Sequence, residues 1–349
     1  MKLSIITINY NNASGLRKTL ASVAAQTYRN IEHIIIDGGS TDGSVDVIRE
    51  YEKQNSLLLG RDGVGLTIIW VSEKDKGIYN AMNKGVEIAL GKRVVDTFNR
   101  STLCGDKNKE INRSELVEDK NKGIEIALGK RVVTEDHTSN IIHNTSPESL
   151  CDYVQILNSG DLLAAPDVTE RMMNALNSFP SGRDGVGFPS IFYGNMIKKD
   201  YTTGKIIGKS REVEYSLRQY YSSTMNHDCC YFRRDLFDMY GLYDENLKIV
   251  SDWKWFLQAI GLGKVKPIYV DIDVTIFDAS GISETNLALR NQERRKVIEE
   301  LLPPAILADY DKYAFPTSQY DRLKKYHLWP LVYFIERVLF KLNKWHILR

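Results

Sequence analysis

Hydrophobic positions in the first ninety residues follow two spacings. Three short apolar runs, at residues 3–8, 31–36 and 66–71, predict buried strands. Between them, apolar residues recur every three to four positions, which predicts helices over 16–26 and 44–51. In the first helix these residues are Leu16, Leu20, Val23 and Ala24. Strands that alternate with helices predict a parallel sheet with right-handed crossovers.

The same two spacings continue through the rest of the chain. Ile78, Met82, Val86 and Leu90 predict a helix that ends at Gly91. Further strands are predicted at 154–157 and 191–197, further helices at 167–179 and 286–302, and a hairpin-like turn at 201–205. The whole chain is therefore predicted to be an α/β protein.

The composition indicates a folded chain with one large domain or two smaller ones. The 349 residues are 43% hydrophobic and 26% charged, which predicts a packed core rather than disorder. A net charge of +1 argues against a general nucleic-acid surface. The four cysteines form no Cys-x-x-Cys pair, so we expect no zinc site and a reducing compartment. We predict neither a signal peptide nor a transmembrane helix.

Polar loops follow the first two predicted strands. Residues 9–12 read Asn-Tyr-Asn-Asn and lack the Gly-x-Gly-x-x-Gly pattern of a dinucleotide-binding turn. Residues 37–43 read Asp-Gly-Gly-Ser-Thr-Asp-Gly. Asp37 is placed to accept hydrogen bonds from a base or a ribose. The alternative is a tight loop in which Asp42 is only a local cap.

One predicted strand runs directly into a carboxylate. Residues 154–161 read Val-Gln-Ile-Leu-Asn-Ser-Gly-Asp, so an apolar run stops at a polar turn that ends in Asp161. Open α/β sheets bind ligands at the carboxyl ends of their strands. A carboxylate there can hold Mg²⁺ or Mn²⁺ together with a substrate's phosphates. The alternative is a turn whose Asn158 and Asp161 bond only to the local backbone.

Four stretches, taken together and in this order, resemble the inverting glycosyltransferases of the family-two type, which have the GT-A fold. They are Ser-Ile-Ile-Thr-Ile-Asn-Tyr-Asn at 4–11, Ile-Asp-Gly-Gly-Ser-Thr-Asp-Gly at 36–43, the segment 73–85, and Leu-Asn-Ser-Gly-Asp at 157–161. The last two are similar to bacterial enzymes that build colanic acid, capsules and O-antigens. The resemblance covers residues 1–91 and 152–285. It implies a Rossmann-like, mostly parallel sheet flanked by helices.

The resemblance implies roles for several residues on the donor side. Thr7, Asn9 and Asp37 would line the nucleotide pocket, with Asp37 facing the base. Lys84 lies on or beside a predicted helix and could reach a phosphate as a point charge. The alternative for Lys84 is a solvated surface lysine.

Residues 158–161 would form the Asp-x-Asp region of the family. Asn158 and Gly160 stand where aspartates are usual, which leaves Asp161 as the charged ligand for Mg²⁺ or Mn²⁺. Asn158 could still offer its carbonyl oxygen to the cation or to a ribose hydroxyl. This departure from the family pattern weakens the expected metal site.

Three further segments resemble parts of these enzymes that lie near the acceptor or form a mobile loop. Residues 250–257 include Asp252, which would be the general base. The alternative is that Asp252 has no catalytic role and is a carboxylate in the first turn of a helix, where the helix dipole stabilises it. His227 matches a histidine that lies near the reaction centre in these enzymes. The alternative is that His227 has only a structural role. Residues 281–283 resemble a mobile loop that closes over the donor, which makes Ser283 a candidate contact.

A repeated segment interrupts the family pattern. Residues 83–95 recur almost unchanged at 121–133, which we interpret as a local duplication because solenoids need at least about three repeats. We expect 92–150 to be an insertion in a glycosyltransferase domain that spans 1–285. The first copy, which alone follows Gly-Ile-Tyr, is expected to form the family's helix.

The C-terminal region, 286–349, is predicted to be helical. Its last part, 326–349, combines apolar and aromatic residues with lysines and arginines, which is typical of a helix on an anionic membrane surface. A terminal helix packed on the catalytic domain is an equal alternative. The first interpretation places the chain in the cytoplasm, peripheral to the inner face of the plasma membrane.

These expectations combine into one function and one rival. The chain would move a sugar from a nucleoside diphosphate sugar, such as a UDP-sugar, to a hydroxyl of a lipid-linked glycan. Asp252 would deprotonate that hydroxyl, and Mg²⁺ or Mn²⁺ at Asp161 would neutralise the diphosphate. The rival is a non-catalytic nucleotide-sugar-binding or scaffold subunit. A nucleotidyltransferase is disfavoured, because the first strand is not followed by a glycine-rich, basic phosphate loop.

Overall fold

The computed structural model describes residues 1–55, 65–93, 95, 151–179, 190–200, 203–278, 286–312, 326 and 328–344. Within them the strands are β1 (Leu3–Asn9), β2 (Ile31–Asp37), β3 (Leu66–Ser72), β4 (Tyr153–Ile156), β5 (Leu162–Leu163), β6 (Ile191–Lys199), β7 (Ile206–Lys209), β8 (Cys230–Arg233) and β9 (Ile268–Asp278). The helices are α1 (Ala13–Ala24), α2 (Ser44–Asn55), α3 (Ile78–Ala89), α4 (Val168–Ser178), α5 (Leu217–Ser222), α6 (Leu236–Tyr240), α7 (Ser251–Phe256), α8 (Leu287–Leu301) and α9 (Trp329–Lys344). Residues 304–312 are also helical.

The described strands form one mixed sheet with the order β3-β2-β1-β4-β8-β6-β9-β5, and β7 pairs with β6. Strands β3, β2, β1 and β4 are parallel neighbours. Strand β8 is antiparallel to β4 and β6, whereas β6 and β9 are parallel. The parallel half brings the carboxyl ends of four strands to one edge, which is where such sheets bind ligands.

Helices cover both faces of this parallel half. Successive side chains of a strand point to opposite faces, so neighbouring residues of β1 belong to two different cores. Ile5 belongs to a core that includes Leu16 of α1 and Met172 of α4. Its neighbour Ile6 belongs to a second core that includes Met82 of α3. Gly85 lets α3 approach the sheet closely, since a Cβ atom there would lie 2.3 Å from Cγ2 of Ile6. A larger residue at this position would push α3 away from β1.

The predicted strands at 3–8, 31–36 and 66–71 are β1, β2 and β3, and each continues for one more residue. Those additional residues are Asn9, Asp37 and Ser72, which pair with one another in the sheet register. A strand that is predicted from hydrophobic patterning ends at its last apolar residue. The prediction therefore omits polar residues that are still paired in the sheet. This row of polar side chains lies at the edge where ligands are expected.

The repeated segment is described only in its first copy. Residues 83–89 complete α3, which packs against β1 and β2. The second copy, and the predicted insertion at 92–150 apart from residues 92, 93 and 95, lie outside the described residues. Ser283 and the first two residues of the turn predicted at 201–205 also lie outside them.

Candidate active site

A cleft of about 790 Å³ opens at the carboxyl ends of the parallel strands. Tyr10, Gly38 and Asp75, which follow β1, β2 and β3, line one side of it. Asn158 and Asp161, which follow β4, line the other side together with His227 and Asp252. Neighbouring strands lie about 4.8 Å apart, so β2 and β4, on either side of β1, are about 10 Å apart. The cleft therefore suits an elongated ligand.

Asp161 is held at the end of the β4 turn by a residue of α1. The hydroxyl of Thr19 accepts a hydrogen bond from the amide of Gly160 at 2.9 Å and donates one to the carbonyl of Asp161 at 2.8 Å. Gly160 has φ +110°, a conformation that residues other than glycine rarely adopt. These constraints hold the carboxylate of Asp161 at the cleft.

Asp252, at the start of α7, is held by two side chains from other elements. The hydroxyl of Tyr79 on α3 donates to its Oδ1 at 2.9 Å. Nδ1 of His227 lies 3.3 Å from its Oδ2. Both carboxylate oxygens are therefore oriented, and the side chain remains 18% exposed at the cleft.

The charges of Asp252 and His227 depend on each other. Burial raises the pKa of Asp252, but the hydrogen bond and charge of His227 and the hydroxyl of Tyr79 outweigh it and leave that pKa below its usual value. Burial lowers the pKa of His227, but Asp252, with Asp228 and Asp161 nearby, brings that pKa above its usual value. The pair favours an ionised carboxylate beside a protonated imidazole.

Asn158 completes this side of the cleft. Its Nδ2 lies 3.2 Å from Nε2 of His227. Its Oδ1 is buried and has no hydrogen-bond partner among the described residues. Asn158 therefore places an amide group at the cleft beside His227.

The polar row at the strand ends is hydrogen-bonded within itself. Asp37 is fully buried and accepts hydrogen bonds from Nδ2 of Asn9 at 2.8 Å, the amide and hydroxyl of Ser40 at 2.9 and 2.6 Å, and the hydroxyl of Ser72 at 2.7 Å. Asn9 lines the cleft, but Asp37 does not. The carboxylate predicted to face a base instead organises the loop beneath the cleft.

Two other predicted donor residues are turned inward. Thr7 is fully buried and its hydroxyl lies 2.9 Å from Nε2 of His33, whose pKa is lowered by burial to about 3. Lys84 is 8% exposed and its ammonium group lies 2.7 Å from Oε1 of Glu73. The structure therefore brings neither side chain to the cleft.

Several cleft residues were not among the predicted site residues, among them Tyr10, Asp75 and Tyr79. Tyr10 is 66% exposed, Asp75 follows β3, and Tyr79 holds Asp252. Each of these three lies within a motif that carried the family resemblance. Membership in those motifs was therefore the sequence signal that could have identified them. Sequence alone did not show which of their side chains face the cleft.

The relatives of this chain are glycosyltransferases. Residues 4–96 match the family model Glycosyl transferase family 2. An uncharacterized glycosyltransferase of Mycobacterium tuberculosis is 24% identical over 286 residues, which cover 80% of this chain and 76% of that protein. A PGL/p-HBAD biosynthesis glycosyltransferase of Mycobacterium bovis is 35% identical over 88 residues, which cover 25% of this chain and 31% of that protein.

Solved structures share the fold. S. aureus TarS 1-349 in complex with UDP matches with a TM-score of 0.51 and 14% identity, over 93% of this chain and 74% of that chain. The complex of TarS 1-349 with UDP-GlcNAc matches with a TM-score of 0.51 and 12% identity. This match covers 85% of this chain and 64% of that chain. This chain spans 37% of a longer TarS chain. With the motifs and the sheet described above, these matches show that the chain has the GT-A fold, and residues 4–96 are similar to glycosyltransferase family 2.

Proposed function

We propose that this glycosyltransferase moves a sugar, with inversion, from a UDP-sugar to a hydroxyl of a lipid-linked glycan in the synthesis of a bacterial surface polysaccharide. The observation that carries the proposal is that Asp161 and Asp252 line the same cleft, each fixed by contacts from a different element. One carboxylate can serve the leaving group and the other the incoming hydroxyl.

Asp252 is suited to act as the general base. The acceptor oxygen attacks the anomeric carbon as the bond to the diphosphate oxygen breaks, and the electron pair of that bond leaves with the diphosphate. Asp252 takes the proton of the hydroxyl. Its lowered pKa keeps it ionised at neutral pH, and the contacts from Tyr79 and His227 fix its orientation. A single displacement inverts the configuration without a covalent enzyme intermediate.

Asp161 and Asn158 are suited to share a divalent cation with the donor. Within the described part of the chain, no three His, Cys, Asp or Glu side chains form a metal-binding group. Mg²⁺ is often bound by one or two carboxylates together with substrate phosphates. The carboxylate of Asp161 fits that pattern, and Asn158 lines the cleft beside it. When bound, Mg²⁺ or Mn²⁺ would neutralise charge that develops on the leaving diphosphate.

The choice of uridine is supported by the structural neighbours. TarS 1-349 has been solved with UDP and with UDP-GlcNAc, and it shares the fold of this chain. The elongated cleft has room for a nucleoside at one end and a diphosphate at the other. A UDP-sugar is therefore the donor that we propose.

A thermal-shift panel tests the donor. UDP-sugars with Mn²⁺ should raise the Tm, because a ligand at 100 times its Kd stabilises the folded state by about 2.7 kcal/mol. The controls are the same sugars linked to CDP or ADP, and each donor without Mn²⁺. If no nucleotide sugar changes the Tm, the proposal is wrong. If UDP-sugars bind but no lipid-linked acceptor is ever glycosylated, the chain is the non-catalytic subunit.

We propose that α9 brings this cleft to the cytoplasmic face of the plasma membrane. Leu331, Phe334 and Val338 recur at helical spacing, and all three side chains are exposed. The basic residues Arg337, Lys341, Lys344 and Arg349 occur on or just after this helix. Among the described residues, no helix has both the length and the apolar character needed to cross a membrane. An amphipathic helix that lies in the plane of an anionic surface accounts for this composition.

Replacing Leu331, Phe334 and Val338 together by Ser should abolish flotation with anionic liposomes. The reason is that the face of α9 that carries these three side chains would lose its apolar contribution to binding, while the basic residues remain. The measurement is co-flotation with vesicles that contain phosphatidylserine or phosphatidylglycerol. Ile206→Ser is the matched control, since Ile206 is 67% exposed but lies on β7. Equal flotation of all three proteins, or of none, would exclude α9 as the anchor.

A further inference from the structure

The segment that leads into α7 is held by a carboxylate from α8. The two oxygens of Glu293 accept hydrogen bonds from consecutive main-chain amides, that of Lys248 at 2.8 Å and that of Ile249 at 3.0 Å. Both of these residues line the cleft, and α7 begins shortly afterwards at Ser251. Asp252 follows in the first turn of that helix. Glu293 therefore fixes the backbone that leads to the proposed general base.

The start of α7 has no local cap. Val250 occupies the N-cap position, where its apolar side chain cannot accept the amide hydrogen bond that a serine or an aspartate would accept. The hydroxyl of Ser251 is buried and has no hydrogen-bond partner among the described residues. The position of this helix end therefore depends on contacts from other elements, and Glu293 supplies the contacts just before it.

Two more residues of α8 contact α7 on the other side of Asp252. The guanidinium carbon of Arg294 lies 4.9 Å from the centre of the Trp253 ring, which is a cation–π contact. The ammonium group of Lys254 lies 3.1 Å from Oε1 of Glu300. One helix therefore holds the chain both before and after the proposed general base.

Packing alone does not account for a carboxylate at position 293. Glu293 is 8% exposed, and Val297 and Ile298, which follow it on α8, belong to the hydrophobic core together with Trp253. Removing a carboxylate from water costs free energy that its hydrogen bonds only offset, so buried charges often add no net stability over apolar residues. What this carboxylate adds is a fixed position for two consecutive amides at the cleft.

We propose that Glu293 is a positioning residue for the general base, and that α8 therefore belongs to the catalytic domain. This inference rests on the proposed function and deepens it. Glu293 does not line the cleft, so it acts through the backbone of residues 248–249, which sets where α7 presents the carboxylate of Asp252. A displacement of about 1 Å at a reacting group can cost about 10²-fold in rate. The catalytic domain would then extend beyond residue 285, where the family motifs end.

The test is the turnover of Glu293→Gln with Mn²⁺, a lipid-linked acceptor and the UDP-sugar that raises the Tm most. Glutamine keeps the size of the side chain, but its NH₂ group is a donor, so it cannot accept hydrogen bonds from both amides. We expect kcat to fall by about 10²-fold, whereas the Kd for UDP with Mn²⁺, measured by calorimetry, should hardly change. Glu299→Gln is the matched control. Glu299 lies on the same helix, is 54% exposed and pairs with Arg295, so this change should affect neither quantity.

A double-variant cycle separates positioning from a general loss of structure. If Glu293 acts through Asp252, adding Glu293→Gln to Asp252→Asn should lower kcat little further, because the base that Glu293 positions is already absent. Independent effects would multiply in the double variant. A double variant whose loss equals the product of the two single losses would therefore contradict the proposal.

The remaining outcomes separate this inference from the proposed function. An unchanged kcat in Glu293→Gln, or a loss of UDP affinity as large as the loss of kcat, would show that Glu293 does not position the base, whereas the proposed function stands. Glu293→Asp, whose shorter side chain cannot reach both amides without moving the segment, is the second variant. If thermal unfolding shows that neither variant folds, Glu293 is a residue of the fold and the inference is wrong. If wild type transfers no sugar, the proposed function fails and the inference fails with it.

Discussion

Asp252→Asn is expected to lower turnover by about 10²–10⁴-fold, the usual contribution of a general base. Asparagine has nearly the same shape and can still accept the hydrogen bond of Tyr79, but it cannot take the acceptor's proton. The affinity for the donor should hardly change. The measurement is a comparison of kcat and donor Kd between the variant and wild type. A large loss of donor affinity would instead assign Asp252 to the nucleotide site or to the fold.

Tyr79→Phe is the control that separates orientation from proton transfer. It retains the Asp252 carboxylate but removes a hydroxyl that lowers its pKa. The pKa of Asp252 should therefore rise, and the acidic limb of the pH profile of kcat/KM should move to higher pH. Turnover near neutral pH should fall far less than in Asp252→Asn. An unchanged pH profile would mean that the tyrosine hydroxyl does not influence the base.

Asp161→Asn is expected to abolish metal-dependent turnover and leave the fold intact. Asp161 supplies the carboxylate proposed to hold the cation, whereas the Thr19 contacts to the turn use backbone atoms and survive the substitution. The measurement is turnover as a function of Mn²⁺ concentration, together with the Tm of the free protein.

The matched control for this variant is Asp167→Asn. Asp167 lies six residues further along the chain, at the start of α4, and its side chain is 53% exposed. This change should affect neither turnover nor its dependence on Mn²⁺. Mn²⁺-dependent activity that persists in Asp161→Asn would remove Asp161 from the mechanism.

The fold was largely predictable because helices cover both faces of the central parallel strands. Strands β1 and β2 are buried along their whole length, so they read as continuous apolar runs. Strand β5 has only two residues and β7 is mostly exposed, so neither produces a hydrophobic run. Their positions depend on pairing with β9 and β6, which lie far away in sequence.

Site residues could be predicted from the sequence where they come at the end of a buried strand, because such residues lie at the edge of the sheet. Asn9 and Asp161 follow buried strands, and the structure places both at the cleft. The same reasoning does not tell whether a side chain turns outward. Asp37 stands at a strand end but turns toward Ser40 and Ser72, and Lys84 turns toward Glu73.

The contacts that join distant segments could not be predicted. Tyr79 meets Asp252 across 173 positions of sequence, and Asp75 reaches the space above Gly38 from the next strand. Such pairings depend on how α3 and α7 pack on the sheet, for which a single sequence has no local signal. The contact of Tyr79 with Asp252 nevertheless orients the proposed general base.

The anomeric configuration of the product tests the central claim most directly. Wild type supplied with an α-linked UDP-sugar, Mn²⁺ and a lipid-linked acceptor should form a β-glycosidic bond and release UDP, with the configuration read by NMR from the anomeric coupling constant. A single displacement assisted by Asp252 allows no other stereochemistry. An α-linked product would contradict inversion, and donor binding without any transfer would contradict the assignment of this chain as the catalyst.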